Sequence, residues 1–238
     1  MKFGVIGGNG VAATNRLCEM IERKITAFGA FRDAHHPEMI VWQATQAPSR
    51  SMFLEGRGPD WRPDYIRIAK AFKVLGCDYG CMCCNTAHYA IDEISSASEL
   101  RFINLLEEVA LRAKMNLANC HRYEIFCSDG ARKYDLYGQV FRRICPEIEW
   151  TYPSVERQAE VTRVICAVKT KTRLERGCDH PARLLLQLID SASAPVILGC
   201  TDLRVAFSVT NGLPGRVAID SLEVLADAIV REQRRTVE

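Results

Sequence analysis

Apolar and polar positions along the chain alternate between two periods, one of strands and one of helices. Lys2 to Ile6 is a short apolar run that breaks at Gly7-Gly8-Asn9-Gly10. Val11 to Phe28 then takes helical spacing, with Leu17, Met20, Ile21 and Ile25 on one face. Glu38 to Ala44 reads as a buried strand, and a stretch rich in Pro, Ser, Gly and Arg runs on to Pro63. That connection is longer than usual, which makes it a candidate for function. Helical spacing returns over Asp64 to Leu75, a strand over Asp78 to Cys83, and a short helix over Asn85 to Ile94. Phe102 to Asn104 reads as a strand and Leu105 to Met115 as a helix.

The series then restarts. Strands are expected over Tyr123 to Cys127, Glu147 to Thr151, Pro195 to Leu198 and Val217 to Ile219. Helices are expected over Gly130 to Arg143, Ser154 to Lys171, Pro181 to Ile189 and Leu222 to Arg231, with a turn or helix from Thr201. Asp220-Ser221 supplies the oxygen that opens the last helix. Such alternation predicts an α/β protein of two similar doubly wound parallel-sheet domains. The first is expected to comprise residues 1–115 plus 212–238 and the second residues 116–211, with a site in the cleft between them.

Composition narrows the classes without adding a signal. Hydrophobic residues make up 48% and charged residues 25%, which fits a soluble globular protein and excludes a disordered or collagen-like chain. A net charge of +2 gives no support for nucleic-acid binding. No apolar run approaches a membrane span, and the first residues are not those of a signal peptide, so a cytoplasmic protein is expected. Eleven cysteines are many, and in a reducing compartment they are free thiols. Each is first of all a small core residue, so the useful question is which stand where chemistry can happen.

Two do. Cys83-Cys84-Asn85-Thr86-Ala87-His88 and Gly199-Cys200-Thr201-Asp202 each place a cysteine where an apolar strand ends and a helix begins. That is the carboxyl edge of a parallel sheet, where open α/β folds bind ligands. Free N–H groups at a helix start lower a thiol pKa and hold carboxylates. Cys84 and Cys200 lie about half the chain apart, one in each series. Two thiols facing one carbon suit proton transfer in which a base works on one face and an acid on the other.

On these residues the sequence resembles the cofactor-independent aspartate/glutamate racemases. The resemblance spans nearly the whole chain and rests on Gly7-Gly8-Asn9-Gly10 with Ala13-Thr14, on Arg50, on Cys84-Asn85-Thr86, on Gly199-Cys200-Thr201-Asp202 and on Asp220-Ser221. It implies Cys84 and Cys200 as the catalytic thiols, with Asn85, Thr86 and Thr201 on the substrate α-carboxylate. It implies Arg50 and Lys169 on a distal carboxylate, Asn9 and Ser128 as further substrate contacts, and a C-terminal helix that returns to the first domain. It also implies a homodimer acting on a small amino acid without cofactor or metal. Glutamate racemases of the cell-wall pathway carry Asp-Ser-Gly at the first turn and His after the second Cys-Thr. Gly7-Gly8-Asn9 and Asp202 stand there instead, which favours the aspartate branch. Two departures bear on the substrate. Asn9 and Val11 replace a Met and a Pro, and Ser128-Asp129-Gly130-Ala131 replaces Thr-x-Gly-Thr, adding an Asp129 charge that would repel a dicarboxylate.

Other readings compete. Gly8-Asn9-Gly10-Val11-Ala12-Ala13 fits the G-x-G-x-x-A pattern of NAD(P)-binding oxidoreductases, but Val41 to Gln46 lacks the acidic residue that would hold the ribose. A racemase of broader specificity and a non-catalytic amino-acid-binding module both keep the pocket. Cys77, Cys81, Cys83 and Cys84 have no usual zinc spacing, and Cys178-Asp179-His180 is a weaker hint of metal. His88, one turn beyond Cys84, is either a group that tunes the thiol or a structural histidine.

Overall fold

The computed structural model describes residues 1–171, 180–207 and 213–235. The first half runs β1 (Lys2–Gly7), α1 (Val11–Ala27), β2 (Glu38–Gln43), α2 (Arg50–Leu54), α3 (Arg62–Val74), β3 (Tyr79–Met82), α4 (Ile91–Ser98), β4 (Arg101–Phe102) and α5 (Leu105–Met115). The second runs β5 (Arg122–Phe126), α6 (Asp129–Lys133), α7 (Leu136–Ile144), β6 (Glu149–Thr151), α8 (Val155–Lys171), α9 (Pro181–Asp190), β7 (Val196–Leu198), α10 (Thr201–Val205), β8 (Val217–Asp220) and α11 (Ser221–Arg234). The strands form two four-stranded sheets, β2-β1-β3-β4 and β6-β5-β7-β8, and every pairing is parallel. The α/β class and the two parallel sheets expected from the hydrophobic pattern are therefore present.

Alternate strand residues feed opposite faces. Phe3 and Val5 of β1 enter one core cluster while Ile6 enters another with Trp61, Tyr65 and Phe72. Helices α3 and α4 cover that second face. On the first face α1, α5 and α11 bury Leu17, Ile21, Val109, Leu225 and Ile229 in a cluster that continues without a break into the second sheet. Each such side chain contributes about 1.5–3 kcal/mol on leaving water. The two sheets thus share one core.

Four expectations are corrected. Residues 212–238 are expected in the first unit, but hydrogen bonding divides the described part, 213–235. β8 pairs with β7 of the second sheet, and α11 alone crosses to pack on α1 and α5. The connection to Pro63 contains a helix, α2, opened by Ser49 accepting from the Met52 N–H at 3.3 Å. The expected helix Gly130 to Arg143 is broken into α6 and α7 by Asp135, whose φ of 47° is left-handed. Its carboxylate accepts from the Tyr152 hydroxyl at 2.9 Å and the Arg142 guanidinium at 2.6 Å. Finally, Asn85 to Ala90 is a 3-10 turn, and the α-helix begins only at Ile91.

Candidate active site

Both sheets reverse their strand order beside their first strand, so the loops after β1, β3, β5 and β7 lie at the switch points where α/β sheets bind ligands. Side-chain hydrogen bonds tie these loops together across the two halves. The Thr86 and Ser128 hydroxyls are 2.7 Å apart, joining the β3 and β5 loops. The Thr201 hydroxyl donates to the Cys83 carbonyl at 3.4 Å, joining the β7 and β3 loops. Ser51 of α2 accepts from the Gly130 N–H at 3.0 Å, with room only because Gly130 carries no side chain facing the Ser51 backbone. So α2, and Arg50 with it, is held against the second half.

Cys84 and Cys200 occupy the same place in the two halves, each in extended backbone just before a helical turn. Both are half-buried free thiols. Burial pushes the Cys200 thiol well above its ordinary range. The Asp202 carboxylate and the nearby Cys84 add to that rise, while the Asp202 N–H and Lys169 oppose it. The Asn85 amide donates to the Ser221 hydroxyl at 3.1 Å, and its carbonyl accepts from the Tyr137 hydroxyl at 2.6 Å. Gly199 lies against the Tyr137 ring, where a Cβ would come within 2.8 Å.

His88 is structural. Its Nε2 accepts from the Leu105 N–H at 3.1 Å, so the proton sits on Nδ1, which donates to the Cys84 carbonyl at 2.9 Å. Burial lowers its pKa to about 4, keeping it neutral with both nitrogens occupied. It fixes the backbone of Cys84 rather than acting as its base.

A cavity of about 570 Å³ is lined by Asn9, Thr45, Arg50, Lys169 and Asp202, and neither Cys84 nor Cys200 is among its lining residues. Arg50 is buried to 9% exposure. One guanidinium nitrogen donates to the Pro48 carbonyl at 2.7 Å, and Nε has no protein partner. Asn9 bonds the Tyr65 hydroxyl through its amide nitrogen. Lys169, half-exposed on α8, sits 3.8 Å from the Asp202 carboxylate. Burial raises Asp202 to about 6 against the opposing pull of Lys169 and Arg50. A larger groove of about 840 Å³ between α1, α5 and α11 is floored by Phe28, Leu111 and Met115 and holds no thiol.

Of the sequence candidates, Asn9, Arg50 and Lys169 line the cavity, Thr86, Ser128 and Thr201 bridge the loops of the two halves, and Cys84, Asn85 and Cys200 stand on those same loops outside the cavity lining. Asp129 stands apart. Its carboxylate accepts from Gln158 at 3.0 Å and Thr162 at 2.9 Å on α8, so its charge is tied away from the cavity it was expected to trouble. The acidic group that does enter the cavity is Asp202, which the sequence uses to favour the aspartate branch but does not mark as a cavity residue. The signal was a position next to Cys200-Thr201 at the first turn of a helix. Its Oδ1 would lie 2.0 Å from a Cβ on Gly10, at the start of α1. A dinucleotide phosphate on that glycine turn would meet a carboxylate, which argues against the oxidoreductase reading. Among the described residues no three His, Cys, Asp or Glu side chains are arranged to hold a metal ion. Cys178 and Asp179 lie outside those residues, and His180 opens α9 by accepting from the Ala182 N–H. No helix among the described residues is long and apolar enough to cross a membrane.

Residues 5–229 match the family model described as Asp/Glu/Hydantoin racemase. The chain belongs to that family. The fold agrees. Picrophilus torridus aspartate racemase superposes with a TM-score of 0.80 at 20% identity, covering 98% of this chain and 94% of that one. An aspartate racemase homologue from Pyrococcus horikoshii gives 0.63 at 20% identity, covering 98% and 99%. A glutamate racemase isoform from Bacillus anthracis gives 0.62 at 15% identity, covering 99% and 81%.

Proposed function

We propose that this protein racemises aspartate or glutamate by proton transfer between two cysteines. The observation that carries the reading is the equivalent placement of Cys84 and Cys200 after β3 and β7, on loops hydrogen-bonded to each other. One thiolate removes the α-hydrogen and becomes a thiol. The opposite thiol gives its proton to the other face and becomes a thiolate, so the reverse reaction starts from the product state. The carbanion between these steps spreads its charge into the α-carboxylate, which Asn85, Thr86 and Thr201 hold. Their present bonds to Ser221, Ser128 and Cys83 are the ones a substrate carboxylate exchanges for its own. Arg50, with an unpartnered buried Nε–H, and Lys169 receive the distal carboxylate. Two positioned acid–base groups of this kind each contribute about 10²–10⁴ in rate, and the scheme calls for no cofactor.

The test is chiral chromatography after incubating the purified protein with L-aspartate and, separately, L-glutamate. The D-enantiomer is expected from at least one of them. No D-enantiomer from either overturns the assignment of substrate.

A further inference from the structure

Asp202 connects the cavity to the thiols. Its N–H bonds toward the Cys200 sulfur, while its carboxylate lines the cavity with Arg50 and Lys169. The groups that face it come from every element around it. They are Lys169 of α8, Arg50 at the start of α2, Cys83 after β3, Cys200 on its own turn, and Gly10 at the N-terminus of α1. The cavity therefore holds two cations and one anion.

An amino acid with an uncharged side chain leaves the Lys169–Asp202 pair in place. A dicarboxylate does not. Its distal carboxylate draws Arg50 and Lys169 to itself and sets a second carboxylate in the space Asp202 already shares. Two carboxylates in one buried site hold a proton between them more tightly than either does alone. We propose that Asp202 reads the charge of the substrate side chain, staying ionised beside Lys169 when that side chain is neutral and taking up a solvent proton when a dicarboxylate enters. This role rests on the two-thiol racemase reading and names the residue that sets its preference between neutral and acidic amino acids.

Burial already brings Asp202 to about 6, so near neutrality a modest further rise suffices to protonate it. The sign follows from linkage. Binding that takes up a proton weakens as pH rises, by up to about tenfold per pH unit for a full proton. The affinity for aspartate falls between about pH 6 and pH 8 and levels off below about 6, where Asp202 carries its proton before binding.

The experiment is titration calorimetry of the full chain with racemic aspartate, which undergoes no net turnover, in two neutral buffers of different ionisation enthalpy. Wild-type protein is expected to take up a substantial fraction of one proton per aspartate bound. Asp202→Asn, which keeps the shape, is expected to take up none and to bind aspartate with an affinity flat from about pH 6 to pH 8. The wild-type pH series needs no variant and guards against misfolding of Asp202→Asn. Binding without proton uptake in wild type, or uptake that survives in Asp202→Asn, overturns the role of Asp202 and leaves the racemase standing. Absence of aspartate binding, together with absence of D-enantiomer from aspartate and glutamate, overturns both.

Discussion

The two halves of the molecule have the same strand order and place a cysteine after the same strand, yet they surround it differently. After β3 the neighbours of Cys84 are neutral: Asn85, Thr86, and a His88 held in one tautomer by two backbone groups. After β7 the neighbour of Cys200 is Asp202, a carboxylate that raises the thiol and reaches into the cavity. The shared topology sets the two cysteines at corresponding strand ends, and the residue two places beyond each differs in charge. The strand ends before α5 and α11 differ in the same way. Asn104 caps α5 as a neutral amide, while Asp220 caps α11 as a buried carboxylate 3.0 Å from Arg204.

The largest effect is expected from removing either thiol. Cys84→Ala and Cys200→Ala should each lower racemisation by about 10²–10⁴ or more, measured by chiral chromatography, with circular dichroism unchanged. Loss of racemisation with α-hydrogen exchange retained for only one enantiomer sharpens the comparison; full racemisation by one variant breaks it. Next comes the pair of caps. Asp220→Ala removes a cap and strands the Arg204 charge, costing about 3–5 kcal/mol in urea unfolding, whereas Asn104→Ala loses a cap alone, about 1 kcal/mol. Asn85→Ala removes one buried hydrogen bond each from the Tyr137 and Ser221 hydroxyls, which still bond each other, and should cost about 1–2 kcal/mol.

A smaller, pH-dependent difference separates wild type from Asp202→Asn. Asp202 holds its proton more tightly in the folded chain than in the unfolded one, with burial the main cause. Its contribution to stability is therefore present below about pH 4 and is lost as pH rises to about 6. The urea midpoint of Asp202→Asn relative to wild type should rise across that window. The smallest effect is expected from Thr86→Val, which breaks the Thr86–Ser128 bridge between the halves, at about 1 kcal/mol.

Much of this was legible in the residues. The strand-to-helix alternation carried the two parallel sheets, because buried parallel strands are continuous apolar runs bounded by Gly and by helix starts. The cysteine at the end of each such run could be read off directly. What escaped reading depends on distances that sequence does not hold. α2 looked like loop because five helical residues show no period, and its place is set by Ser51 reaching Gly130 in the other half. Asp129 looked like the troublesome charge because it stands beside Ser128. Only the approach of α8, with Gln158 and Thr162, shows where its carboxylate goes. The place of Asp202 in the cavity is hidden in the sequence because its neighbour in space, Gly10, is nearly the whole chain away.

The central claim is that two thiols act on opposite faces of one α-carbon. The direct measurement is proton NMR and mass spectrometry of L-aspartate, and of L-glutamate in parallel, turned over to low conversion in D2O. With two thiols the D-product is expected to carry deuterium at the α-carbon while recovered L-substrate keeps its hydrogen, because the proton removed on one side is not the one given back on the other. Deuterium appearing equally in recovered substrate and product would mean that a single group serves both faces, and would contradict the claim.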